Sequence, residues 1–160
     1  MEQLKEQAIF SAGCFWGVED AFRMTDGVTE TEVGYTGGDV PNPTYEQVCT
    51  GKTHHAEAVK VVFNPDKISY EDLVRKFFTI HNPTTINMQG PDVGEQYRSA
   101  IFYNNEEQKQ IAEKIKSELN QNNAWSKPIV TEIVPEKPFY KAEEYHQKYF
   151  LKNGGGVCHV

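Results

Sequence analysis

The chain contains no Cys-x-x-Cys pair, and its three cysteines, Cys14, Cys49 and Cys158, stand far apart. That excludes a structural zinc site of ordinary spacing and does not read as a secreted disulfide framework. No apolar run is long enough to span a bilayer. Cations are in deficit, 16 Lys and Arg against 23 Asp and Glu, for a net charge of -7. Such a balance argues against nucleic acid or an anionic membrane as the main partner. No internal repeat or charge block interrupts the chain before its last few residues. Met1-Glu2-Gln3-Leu4-Lys5-Glu6 is polar, with no basic-then-apolar leader. A cytoplasmic location is therefore expected, provided no leader has been removed upstream.

What is present fits one domain, since 160 residues at 38% hydrophobic content can bury a proper core. Ala8-Ile9-Phe10 reads as a strand and Cys14 to Met24 as a helix with Phe15, Val18 and Phe22 on one face. Val28 to Tyr35 is a strand, Thr36 to Pro43 a loop, and Tyr45 to Cys49 a short helix. Glu57 to Phe63 is the clearest strand. Ser69 with Asp72 starts a helix whose stripe is Leu73, Val74, Phe77 and Phe78. His81 to Gly94 is expected to be an irregular loop, Arg98 to Tyr103 a strand, and Glu106 to Asn120 a helix. Ile129 to Val134 is predicted as a strand, Glu143 to Lys152 as a final helix, and residues 153–160 as a flexible glycine-rich tail. The interleaving suggests an α/β (α+β) two-layer sandwich, a mixed sheet with helices packed on it.

Gly13-Cys14-Phe15-Trp16-Gly17 places a thiol at a helix start, where unpaired N–H groups and the macrodipole favour thiolate. A buried structural cysteine between two core aromatics is the plain alternative. Glu57 heads the apolar row Val59, Val61, Phe63, so its carboxylate points to the core side. A carboxyl there is desolvated and can serve as a general acid. The alternative is a strand-end side chain reaching solvent. Tyr45 and Tyr97 lie on or beside loops, where a phenol can donate to a substrate oxygen or simply be half-buried. His54-His55 invites a metal reading with the cysteines, but neighbours on an extended chain point to opposite faces. Cys158 follows three glycines, as a mobile thiol or an ordinary loose terminus.

Five segments in order resemble the A-type peptide methionine sulfoxide reductases. They are Gly13-Cys14-Phe15-Trp16-Gly17, Gly34-Tyr35-Thr36-Gly37-Gly38, Pro41-Asn42-Pro43-Thr44-Tyr45, His55-Ala56-Glu57-Ala58-Val59 and Gln96-Tyr97-Arg98-Ser99. The resemblance implies a mostly antiparallel sheet with a ferredoxin-like core and one catalytic domain over residues 1–160. It also implies reduction of the S epimer of methionine sulfoxide, free or in proteins, as repair of oxidative damage. Carried over by residue, Cys14 is the nucleophile, Glu57 the acid and Cys158 the resolving thiol. Tyr45, Tyr97 and Asp92 contact substrate, while Phe15 and Trp16 hold its methyl group. No cofactor or metal is implied, only thioredoxin or another dithiol as reductant. One departure concerns the tail: where the family commonly has Asn-Pro-x-Gly-Tyr-Cys, this chain has Asn153-Gly154-Gly155-Gly156-Val157-Cys158. Cys49 is the alternative resolving thiol. A thiol peroxidase, and a zinc- or peptide-binding module using Cys14, His54 and Cys49, are the competing readings.

Overall fold

The structure, a computed structural model, describes residues 5–153. Its strands are β1 (Glu6–Ala12), β2 (Val28–Thr36), β3 (Ala56–Phe63), β4 (Met88–Gln89), β5 (Asp92–Val93), β6 (Ser99–Tyr103), β7 (Glu132–Pro135) and β8 (Tyr140–Lys141). Its helices are α1 (Phe15–Arg23), α2 (Tyr45–Cys49), α3 (Tyr70–Thr79), α4 (Glu106–Gln121) and α5 (Tyr149–Lys152). Six strands form one sheet in the order β7-β6-β1-β3-β2-β8. Only β6 and β7 pair in parallel; the other neighbours are antiparallel. The expected mixed, mostly antiparallel sheet with helices is what the chain forms.

Period-2 alternation sorts the sheet into two faces. Phe10, Val59, Val61 and Phe63 join Phe22 of α1, Leu73 and Phe77 of α3 and Ile115 of α4 in the main core. Ile9, Ala56, Ala58, Ala100 and Phe102 form a smaller cluster on the other face. Phe10 is the centre of the main core, stacked at 5.1 Å on Phe22 and 5.3 Å on Phe77. Burying such a ring contributes about 1.5–3 kcal/mol. Ser69 caps α3 by accepting the Asp72 N–H at 3.0 Å, and Asn105 caps α4 in the same way.

Four local expectations change. The segment 81–94 is not wholly irregular: β4 and β5 pair as a small hairpin, and the Gln89 amide bridges the Asn82 backbone at 2.8 Å on both sides. Residues 129–131 stay outside β7, because the Ile129 N–H donates to Asn120 and that of Val130 to Pro83. Strand β8 escaped notice, being only two residues of edge pairing with Gly34 and Tyr35. The helix expected over Glu143 to Lys152 is broken into a 3-10 turn, Glu144–His146, and the short α5. The break is tertiary in origin. Gln147 is pulled out to bond both backbone groups of Val33 at 2.9 Å, and Lys148, at φ 53, donates its N–H to Glu19 at 2.6 Å. Among the described residues, no helix is long and apolar enough to cross a membrane.

Candidate active site

The site forms where β1 runs out. Gly13, at φ 97, turns the chain in a conformation that an L side chain resists. Cys14 then occupies the N-cap of α1 and is half-buried. Phe10 is registered against Val59, so antiparallel pairing brings Glu57 of β3 level with the end of β1. Glu57 is 2% exposed, on the core face that its place in the apolar row indicated. Its Oε1 accepts the Phe15 N–H at 3.2 Å, taking up one of the unpaired donors at the start of α1. Its Oε2 is buried and has no hydrogen-bond partner among the described residues.

Burial pushes the Glu57 carboxyl well above the usual carboxylate range. Negative charge at Cys14 pushes the same way, the Phe15 N–H pulls back, and the charge of Asp92 adds a smaller push upward. A neutral acid beside a thiol follows. Tyr45 and Tyr97 are both half-buried, and their phenols are raised by burial and then by the charge of Glu57. They therefore stay protonated as donors. Asp92 of β5 acts on Glu57 and Tyr97 alike, so the hairpin reaches the same cluster. The candidates Cys14, Glu57, Tyr45, Tyr97 and Asp92, from five separate stretches of chain, are thus electrostatically coupled.

The aromatic side of the site is built by α1 and a distant turn. Phe15 is fully buried, 5.7 Å from Tyr35, 6.4 Å from Tyr45 and 5.1 Å from His146, centroid to centroid. Trp16 is half-buried and stacks flat on Tyr149 at 3.8 Å. Its indole N–H donates to His146 Nδ1 at 2.9 Å. Tyr45 opens α2, which Thr44 and Gln47 cap reciprocally. The Tyr45 N–H donates to Glu143 Oε2 at 3.0 Å, and the Tyr35 hydroxyl donates to Glu143 Oε1 at 2.8 Å. Burial opposes ionisation of Glu143, but these bonds outweigh it and hold the carboxyl below the usual range. Sequence reasoning missed Glu143 and His146. Their three-residue spacing was the only signal, and it was absorbed into an expected helix.

The remaining candidates are placed as follows. His55 is buried and pins the 36–43 loop, accepting the Gly38 N–H at Nδ1 and meeting the Val40 carbonyl at Nε2, 2.6 Å. His54 faces the other way, in the left-handed region at φ 62, with Nδ1 3.1 Å from Glu95. Among the described residues, no three His, Cys, Asp or Glu side chains are grouped to hold a metal. Cys49 is exposed rather than packed, and its thiol is coupled to the Tyr45 phenol. Partial desolvation of the sulfur raises it above the usual thiol range, with the Tyr45 phenol opposing. Cys158 lies outside the described residues.

The family model for peptide methionine sulfoxide reductase matches residues 6–160. The chain belongs to that family. It is 60% identical over 149 residues to the peptide methionine sulfoxide reductase MsrA of Methanosarcina acetivorans, covering 93% of this chain and 79% of that one. It is 56% identical over 155 residues to the MsrA of Methanothermobacter thermautotrophicus, covering 97% and 92%. Among solved structures, Mxr1 of Saccharomyces cerevisiae in reduced form is similar at a TM-score of 0.88 and 40% identity, covering 98% of this chain and 91% of Mxr1. Mxr1 in complex with Trx2 is similar at 0.65 and 27%, covering 93% and 89%.

Proposed function

We infer that this protein reduces methionine sulfoxide to methionine, acting on the S epimer, free or in proteins, to repair oxidative damage. The observation that carries the site assignment is the buried carboxyl of Glu57, bonded to the residue that follows Cys14. A sulfoxide oxygen leaves sulfur only when negative charge building on it is neutralised. Cys14 thiolate attacks the sulfoxide sulfur while Glu57 gives the oxygen its proton, and the Tyr45 and Tyr97 hydroxyls donate to the same oxygen. The S–S bond so formed breaks as the protonated oxygen passes from the substrate sulfur to the Cys14 sulfur and methionine leaves, so thiol plus sulfoxide become sulfenic acid plus thioether. Phe15 and Trp16 enclose the methyl group, and Asp92 holds the polar end of the substrate.

Cys158 is the proposed resolving thiol. It attacks the Cys14 sulfenic acid, forming the disulfide and releasing water, and a thioredoxin dithiol then opens the disulfide. The complex of yeast Mxr1 with Trx2 supports thioredoxin in that role. No bound cofactor takes part in this cycle. We further read the fold as a two-layer sandwich with a ferredoxin-like core, supported by helices that pack into one face of the sheet. One catalytic domain with a reactive tail over residues 153–160, in the cytoplasm, completes the reading. The test is turnover of the two separated sulfoxide epimers with dithiothreitol. Reduction of the S epimer alone supports it; equal reduction of both, or of neither, contradicts it.

A further inference from the structure

The hairpin that carries Asp92 has two unlike faces. Its register pairs Met88 with Val93 and Gln89 with Asp92, and cross-strand partners share a face. Gln89 and Asp92 therefore point one way. Gln89 is buried and tied to both backbone groups of Asn82, while Asp92 is half-buried and acts on Glu57 and Tyr97. Met88 and Val93 point the other way, into solvent, with Ile86 two residues before Met88 and Pro91 exposed at the turn. Ile86 and Val93 are each 70% exposed. Among the described residues six large apolar side chains are exposed, and three of them lie in this stretch. From Ile86 to Gly94 the one charged residue is Asp92, in a chain with 24% charged residues. Single exposed apolar residues need no explanation, but a cluster without exposed charge has the composition of an interface core.

The patch is preformed. The Gly94 N–H donates to the Asn87 carbonyl at 2.8 Å, and the Thr85 hydroxyl donates to the Met88 carbonyl at 2.6 Å. Little ordering remains to be done when a partner arrives. We propose that Ile86, Met88 and Val93 form the docking surface for polypeptide substrates, receiving apolar side chains that neighbour the oxidised methionine. The patch is continuous with the substrate site, because the same two-residue strands present Asp92 to that site on their other face. A peptide that delivers its sulfoxide past Asp92 therefore crosses the hairpin. An extended peptide rises about 3.3 Å per residue, so side chains two or three positions from the sulfoxide lie about 7–10 Å along it, the span of so short a hairpin. Sulfoxide formation disrupts apolar cores, so the damaged segments are themselves apolar. The reductant has a different approach: the segment leading to Cys158 leaves from α5, which is held on α1 by the Tyr149–Trp16 stack. The proposal rests on the reading of Asp92 and Tyr97 as substrate contacts.

The experiment uses the full chain with dithiothreitol and three substrates. One is free methionine S-sulfoxide; the others are blocked pentapeptides with a central methionine S-sulfoxide, flanked by leucines in one and by serines in the other. The wild type should reduce the leucine peptide with kcat/KM about tenfold above the serine peptide, the difference lying in KM because docking is uniform binding. The double variant Ile86→Thr, Val93→Thr should bring the two peptides within about twofold of each other. Its rate on free methionine S-sulfoxide should stay within about twofold of wild type, which also reports that it is folded. Both replacements keep a β-branched side chain at an exposed position, so the hairpin is retained. Should the double variant fail to fold, each single variant carries the test with a loss of about threefold. An undiminished leucine preference in the folded variants, or none in the wild type, overturns the proposal while free methionine S-sulfoxide is still reduced. So does a raised KM for thioredoxin with an unchanged peptide ratio, since the patch then belongs to the reductant. No reduction of free methionine S-sulfoxide by the wild type defeats the proposed function, and this inference with it.

Discussion

Glu57 accepts the backbone N–H of Phe15 at 3.2 Å, and this bond ties the acid to the helix that begins at Cys14. The acid sits on a central strand and the thiol at a helix cap, so neither depends on a mobile loop for its place. The second carboxyl oxygen is left unpaired in a buried setting. A group in that state favours its neutral form.

Glu57→Gln tests the acid. Single-turnover release of methionine should slow by about 10²–10⁴-fold, the usual worth of a positioned acid. The wild-type rate should also fall as pH rises through the raised Glu57 value, a limb that the variant lacks. An unchanged rate in the variant means that Glu57 is not the proton donor.

Stability follows the same titration. The folded value of Glu57 lies well above the unfolded value of about 4.3, so its contribution is complete below the unfolded value and is lost as pH rises through the folded one. Melting temperatures taken from about pH 5 to pH 9 should fall more steeply for wild type than for Glu57→Gln. Parallel curves would show that Glu57 is not desolvated.

Glu143→Ala removes the acceptor of both the Tyr45 N–H and the Tyr35 hydroxyl. It should destabilise the fold by about 1–2 kcal/mol and raise KM for the sulfoxide, because Tyr45 loses its anchor. The folded carboxyl titrates below the usual range, so this stabilisation is present above the unfolded value and disappears as pH falls through the folded one. Denaturant unfolding at neutral and acid pH should show the variant's deficit shrinking in acid.

The elements that local pattern controls were legible in the sequence. The Val59–Phe63 alternation, the Leu73–Phe78 stripe and the Ser69 cap appear where expected because neighbouring residues alone decide them. Cys14 at a helix start and Glu57 on the core face were readable for the same reason. The Glu143–Lys152 segment was not, because distant partners decide its shape: Val33 captures Gln147, and Glu19 captures the Lys148 backbone. The two residues that brace the site, Glu143 and His146, lie in that segment. Their partners Tyr45 and Trp16 stand 98 and 130 positions away.

Recycling is tested by separating the two remaining cysteines. Cys158→Ser should release about one equivalent of methionine per chain and then stall with thioredoxin, while dithiothreitol restores turnover. Cys49→Ser should keep thioredoxin turnover, since Cys49 is held on the short helix α2 whereas Cys158 follows three glycines in the sequence. The reverse pattern would move the resolving role to Cys49.

The most direct measurement is the mass of Cys14 after a single turnover. Reduced Cys158→Ser protein, given excess methionine S-sulfoxide without reductant, should gain one oxygen atom, trapped by a sulfenic-acid reagent on Cys14, as one methionine is released. Methionine release without oxygen on Cys14, or undiminished release from Cys14→Ser, would contradict the account.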